Sequence, residues 1–163
     1  MEKGYKMNNK AVIVDLDGTL IDNNRRALAN YSPMPRDCKD PAKYWEPFFE
    51  ESIADDPNYW CLDIVESLAK NNHHIIFLTG RSATPRTVAA TKRWLGANLD
   101  ESIRYSLMMR PEHDKRPDHI VKRDIIVSKI IPNYFVVFAI DDKRSNVDMF
   151  ERLSIKCLHC ADY

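Results

Sequence analysis

Short apolar runs alternate along this chain with longer stretches whose apolar residues recur at helical spacing. The runs at 11–15, 74–79, 105–109, 136–140 and 155–158 read as strands. Between them, 60–70 carries apolar residues at helical spacing after Pro57-Asn58. Residues 86–95 follow Pro85 and stop at Gly96, which reads as a C-cap. A helix over 118–131 is ended by Pro132. Another over 145–153 opens on the hydroxyl of Ser145 and carries Val147, Met149, Phe150 and Leu153. Strands alternating with helices predict an α/β fold, a parallel sheet flanked by helices.

Residues 22–58 break this rhythm. The segment is too long for a simple βα connection and is rich in proline, acids and aromatics, among them Tyr31, Tyr44, Trp45, Phe48 and Phe49. It is expected to form a mostly helical, cap-like insertion after the first strand, and long insertions in compact domains are usually functional. Its aromatics, at near-helical spacing, are expected to form a private core rather than a platform for stacking a base.

Composition narrows the setting. A chain of 163 residues suits one domain over 1–163 with a self-sufficient core. No apolar run approaches the ~18 residues that span a membrane, and the N-terminus has no signal-peptide pattern, so a soluble cytoplasmic protein with no membrane partner is expected. Cys38, Cys61, Cys157 and Cys160 are too few for a disulfide framework and read as free thiols. Cys157-Leu158-His159-Cys160 has the spacing of half a zinc site, without a second half elsewhere. The formal net charge of +0 gives no global attraction to nucleic acid. The charge is uneven, however: 37–66 holds nine acids against two lysines, and 79–144 holds thirteen basic residues against eight acids.

The chemistry concentrates at the ends of the predicted strands, where open parallel sheets bind ligands. The first run ends in Asp15-Leu16-Asp17-Gly18-Thr19. Two carboxylates at the tip of a buried strand need a cation or hydrogen-bond donors, and a shared divalent metal would supply the former. In this reading Asp15 is a nucleophile and Asp17 a general acid/base, while Gly18 lets the backbone turn beside a ligand. The second run ends in Thr79-Gly80-Arg81, a hydroxyl, a flexible backbone and a fork of donors suited to phosphate. The third leads to Arg110, Asp114-Lys115-Arg116-Pro117-Asp118 and Lys122, and the fourth ends in the acid pair Asp141-Asp142.

In this order Asp15-Leu16-Asp17-Gly18-Thr19, Thr79-Gly80-Arg81, Lys122 and Asp141-Asp142 resemble the four motifs of the haloacid dehalogenase (HAD) superfamily. From Thr79-Gly80-Arg81-Ser82 through Thr91-Lys92-Arg93-Trp94-Leu95 and Met109-Arg110 to Ala139-Ile140-Asp141-Asp142-Lys143-Arg144, the sequence is similar to the 3′-phosphatase domain of bacteriophage polynucleotide kinase/phosphatase. The resemblance implies a HAD-like Rossmannoid fold and a phosphomonoesterase acting through an aspartyl-phosphate on Asp15. Asp17 would protonate the leaving alcohol and then activate water. Thr79 and Lys122 would hold phosphoryl oxygens, with Gly80, Arg81 and Arg116 at the substrate. Mg²⁺ would lie on Asp15, Asp142 and the main-chain oxygen of Asp17, with Asp141 as the alternative ligand. Arg116 and Asp118 would also build the loop that orients Lys122, and removing Lys122 is expected to relieve crowding among the acids, raising stability while activity is lost.

The implied partner is a phosphorylated nucleic acid end or a nucleotide, most simply a 3′-phosphorylated end, and the resemblance also implies a possible homo-oligomer. No GxxxxGK[ST] sequence accompanies it, so the kinase activity is expected to be missing. Two other readings stay open: a small-molecule phosphatase such as a 5′-nucleotidase with 22–58 as its lid, and a non-catalytic binding or assembly module.

Overall fold

The computed structural model describes residues 9–24 and 34–160. Five parallel strands form its sheet: β1 (Lys10–Val14), β4 (His74–Ser82), β5 (Tyr105–Arg110), β6 (Phe135–Asp141) and β7 (Cys157–His159), in the spatial order β5-β4-β1-β6-β7. β1 lies at the centre, and Ala11, Val12, Ile13 and Val14 are all buried, as a strand covered on both faces requires. Val12 and Val14 pack on one side with Ile75, Phe77 and Trp94, whereas Ala11 and Ile13 pack on the other with Ile76, Leu78, Ile126 and Phe150. Val14 pairs with both Phe77 and Ile140, so the ends of β1, β4 and β6 lie level. The chain runs outward from β1 to β4 and β5, then crosses to β6 and β7. That reversal opens a crevice beyond the tip of β1, where the residues following Val14, Leu78 and Ile140 meet.

The helices α2 (Tyr59–Lys70), α3 (Pro85–Asn98), α4 (Asp118–Ile125) and α5 (Arg144–Arg152) supply the cover, and α4 continues as a π-helical turn over Ile126–Ile130. Three sequence expectations shift. Thr84 caps α3 by accepting from the Thr87 amide, with Pro85 in the first turn, but the helix passes Gly96 and ends at Asn98. Gly96 is therefore an interior helix residue, not a C-cap, because Leu95 before it and Leu99 after it both bury apolar surface. α5 has Lys143 at its N-cap with no side-chain cap, so Ser145 does not open it. The last strand starts at Cys157 rather than residue 155, and Ile155 instead packs into the core.

In the long segment after β1, β2 (Ile21–Asp22) pairs antiparallel with β3 (Asp56–Pro57). Helix α1 (Pro41–Glu51) and a 3₁₀ turn (Ser52–Ala54) precede β3; residues 25–33, with Tyr31, lie outside the described part. Asp40 caps α1 by accepting from the Lys43 amide. The insertion is tied to α3 by the Arg86–Glu50 pair, with N–O distances of 2.7 and 2.9 Å, and by Trp94 Nε1 donating to the Asp55 carbonyl at 2.9 Å. Along α1, Tyr44, Trp45, Phe48 and Phe49 form a chain of mostly edge-to-face rings with neighbouring centroids 5.1 to 5.5 Å apart. No helix among the described residues is long and apolar enough to cross a membrane.

A Cβ added at Gly96 would meet nothing within 4 Å. Gly96→Ala is expected to stabilise the protein by about 0.5–1 kcal/mol, read as a higher urea midpoint, through the glycine's lost entropy in a helix interior. An unchanged or lower midpoint would show that α3 is not a continuous helix there.

Candidate active site

Asp15 is fixed by its position one residue past β1. Its amide donates to the Ile140 carbonyl at 3.0 Å, which continues the sheet ladder and holds the side chain at the crevice. The chain then turns tightly: the Thr19 and Ile21 amides donate to the Leu16 carbonyl, and Gly18 takes φ +80°. That turn needs glycine for two reasons. The left-handed conformation strains any other residue by about 1–2 kcal/mol, and a Cβ would stand 2.6 Å from Asp142 Oδ2.

At the bottom of the crevice Lys122 from α4 is 1% exposed. Its Nζ donates to Asp15 Oδ1 at 2.7 Å and to Asp141 Oδ2 at 2.8 Å, with Asp118 Oδ2 at 3.7 Å. Burial pulls the ammonium toward neutrality, but Asp15, Asp141 and Asp118 outweigh it, and the net shift is upward, so Lys122 stays charged. Asp15 is pushed well above the usual carboxylate range, chiefly by burial and further by Asp141 and Asp142, against the pull of Lys122. Asp142 is also raised, first by burial and then by Asp141. One oxygen from each of Asp15, Asp141 and Asp142 falls within 4.8 Å of the others.

These three acids have the chemistry of a site for a hard divalent cation: oxygen donors, close spacing and more negative charge than Lys122 balances. Asp141 and Asp142 differ in what already binds them. Asp141 accepts from Lys122, from the Lys143 amide at 3.0 Å and from Asn146 Nδ2 at 2.9 and 3.1 Å. Asp142 Oδ1 is buried with no hydrogen-bond partner, the condition expected of an oxygen meant for an ion. The Asp17 carboxylate lies outside this group. Cys157, His159 and Cys160 gather no further ligand among the described residues, and burial pushes the Cys157 and Cys160 thiols up to about 12 and about 11, away from the thiolate form a zinc site needs.

Asp17 is gripped by Arg81. The guanidinium donates from Nε to Oδ2 at 2.8 Å and from Nη2 to Oδ1 at 2.6 Å, a bidentate pair that fixes the carboxylate plane. Arg81 is 1% exposed; its Nη1 donates to Ser52 Oγ at 3.3 Å and Thr91 Oγ1 at 3.0 Å, and its Cζ lies 4.8 Å from the centroid of the Phe49 ring. The residue read from the sequence as a phosphate contact is thus committed to Asp17, to α3 and to the insertion. Thr79 is buried beside it and accepts from the Arg81 amide at 3.2 Å. At Gly80 a side chain would collide with the Asp118 carboxylate.

Arg116 reaches the rim, where its side chain is 52% exposed and engaged by Asp114, at 2.7 Å, and by Asp124, at 2.8 Å. It braces the loop before α4 rather than pointing at the acids. The loop's organiser is Arg110, which donates to the carbonyls of Gly80, Asp114 and Arg116 and to Asp118 Oδ1. Asp118 receives Lys122, Lys143, Asn146 and Arg110; burial alone would raise it, but these donors hold it at about 2. The sequence places Arg110 at the third strand tip without assigning it a role, and it does not mark Asn146 as a site residue. Asn146 had one signal: five residues past Asp141, in the first turn of a helix, it faces back to the strand tip. Above these groups lies a cavity of about 750 Å³ between the strand tips, the loop after β5 and the aromatic side of α1.

This assembly of strand-tip acids, buried lysine and buried threonine invites comparison with known proteins. Residues 9–163 match the family described as the polynucleotide kinase PNKP phosphatase domain. The chain belongs to the PNKP phosphatase domain family. It is a HAD-type phosphatase domain. A protein of Autographa californica nuclear polyhedrosis virus, provisionally named a bifunctional polynucleotide kinase/RNA ligase, is 28% identical over 159 residues, which cover 94% of this chain and 20% of that protein. Two structures of the Pnkp1/Rnl/Hen1 complex contain similar chains, at TM-scores of 0.73 and 0.72 and identities of 28% and 27%, covering 98% of this chain and 49% and 45% of theirs. A class C acid phosphatase from Bacillus anthracis shares the fold at a TM-score of 0.63, with 15% identity, 98% of this chain and 68% of that one. The chain therefore spans a fifth of the viral relative and about half of the chains in the complexes.

The structure reverses one expectation. Lys122 is the cation that keeps three carboxylates together, so its removal leaves buried charge unbalanced. Lys122→Met is expected to destabilise the metal-free protein by about 3–5 kcal/mol in urea unfolding at neutral pH. A neutral or positive change would mean that Asp15 and its neighbours are uncharged without the lysine.

Proposed function

We propose that this chain is a Mg²⁺-dependent phosphomonoesterase that removes a 3′-phosphate from nucleic acid ends through an aspartyl-phosphate, with residues 22–58 as a small cap. The observation that carries this reading is the placement of Asp15, in contact with Lys122, and Asp17, held by Arg81, at one cavity with Thr79. Membership of the PNKP phosphatase domain family and similarity to a viral protein named as a polynucleotide kinase/RNA ligase support the choice of substrate.

An Asp15 oxygen bonds to phosphorus as the ester P–O bond breaks, and the leaving alkoxide takes the proton of Asp17, which enters this step as the carboxylic acid. Asp17, now a carboxylate, takes a proton from water; that oxygen bonds to phosphorus, and the bond to Asp15 breaks to release phosphate. Arg81 keeps Asp17 oriented for both steps. Thr79, whose oxygen accepts from the Arg81 amide, has its hydroxyl proton to offer a phosphoryl oxygen, and Lys122 neutralises charge next to the attacking carboxylate. Asp15 and Asp142 would hold Mg²⁺, with Asp141 braced behind them, and the ion when bound supplies positive charge to the phosphoryl group.

One observation favours a second reading. A cavity of about 750 Å³ that the insertion walls on one side is of a size to hold a free nucleotide, as a small-molecule phosphatase requires.

Phosphate release from a 3′-phosphate oligonucleotide, a 5′-phosphate oligonucleotide, a 3′-nucleotide and a 5′-nucleotide separates the two readings. Selective release from the 3′-phosphorylated oligonucleotide is expected, abolished by chelator and lowered on the order of 10⁴-fold or more in Asp15→Asn. Preference for the 5′ end or for free nucleotides would overturn the end-healing reading, and full activity in chelator would overturn the metal.

A further inference from the structure

The cavity is larger than a phosphoryl group needs, and its walls differ in kind. The floor is the polar strand tips. One side is the loop after β5, which contributes Lys115, with Lys143 nearby; the other is α1, which contributes Trp45, Phe48 and Phe49. Lys115 Nζ donates to the Lys39 carbonyl at 2.5 Å, so the loop and the insertion meet across the rim.

The rings of α1 do not all serve one purpose. All three line the cavity, but Phe48 is buried and serves the insertion's own core, whereas Trp45 and Phe49 are half-buried. Trp45 is braced by edge-to-face contacts with Tyr44 at 5.1 Å and Phe48 at 5.5 Å, and Phe49 is backed by the Arg81 guanidinium. Rings fixed before a ligand arrives lose little freedom on binding it. Charge then selects what can approach them. The segment 37–66 is strongly acidic, and Glu46 and Glu50 of α1 are turned to Arg86 of α3. The acid-rich composition of the segment favours an uncharged planar group over a polyanionic backbone on that side.

We infer that Trp45 and Phe49 form a platform for the terminal nucleobase of the phosphorylated end, with the sugar-phosphate strand leaving along the side of the cavity away from α1. This rests on the end-healing reading above and adds to it the part of the substrate that the cap recognises. Stacking uses the π-face that every base has, so recognition tolerates sequence and discriminates by the presence of a base.

The test compares 3′-phosphate oligonucleotides that end in an ordinary nucleotide or in an abasic residue, with KM and kcat measured on each. The native protein is expected to show a KM about tenfold lower for the base-bearing end, the scale of one stacking contact. In Trp45→Ala that preference shrinks toward unity, and in Trp45→Phe it is largely kept. Release from both ends with equal KM in the native protein overturns the platform and leaves the end-healing reading standing. An undiminished preference in Trp45→Ala likewise overturns it, while no release from either oligonucleotide overturns both. The comparison within the native protein decides the matter even if Trp45→Ala fails to fold.

Discussion

The ammonium of Lys122, buried between Asp15 and Asp141, is the constraint around which the rest of this molecule is arranged. Three carboxylates of the strand tips approach within a few ångströms, which is unfavourable in a dry crevice unless positive charge is placed among them. One lysine offsets part of it. Each neighbour then has a role that follows: Asp118 accepts the remaining donors around Lys122, Asn146 satisfies Asp141, and Gly18 leaves room for Asp142 where a side chain would close it. The residual negative charge and the partnerless Asp142 oxygen are the features that suit the site to a divalent ion.

The second organising contact is the Arg81–Asp17 pair, because it joins the insertion to the chemistry. The same guanidinium that fixes Asp17 donates to Ser52 and stacks on Phe49, both from the segment after β1. A displacement of α1 would therefore move the support of Asp17. With Glu50 bound to Arg86 and Trp94 bound to the Asp55 carbonyl, the insertion is anchored at several points to α3 and the sheet.

Much of this was legible in the sequence. Apolar runs buried on both faces announce central parallel strands, and the acids directly after Val14 and Ile140 could only fall at one edge of such a sheet. Helix ends were less legible, since Gly96 looks like a stop signal until the burial of Leu95 and Leu99 holds the helix past it. Side-chain roles at long range were least so. Arg81 reads as a phosphate fork because its partner Asp17 is 64 residues away, and nothing local shows that a guanidinium will be sealed under Phe49. Arg110 has the same character: its four acceptors come together only when the loop before α4 folds. The aromatics of 22–58 pattern as a core, and Phe48 is one, but the spacing alone does not tell which rings turn to the cavity.

The Asp15, Asp141 and Asp142 cluster is proposed to hold a divalent cation through Asp142. Isothermal titration of Mg²⁺ into the metal-free protein and into Asp142→Asn tests it most directly, without recourse to turnover. Saturable binding to a single site is expected in the native protein, weakened about tenfold or more by the substitution. No saturable binding in the native protein, or equal affinity in Asp142→Asn, would contradict it.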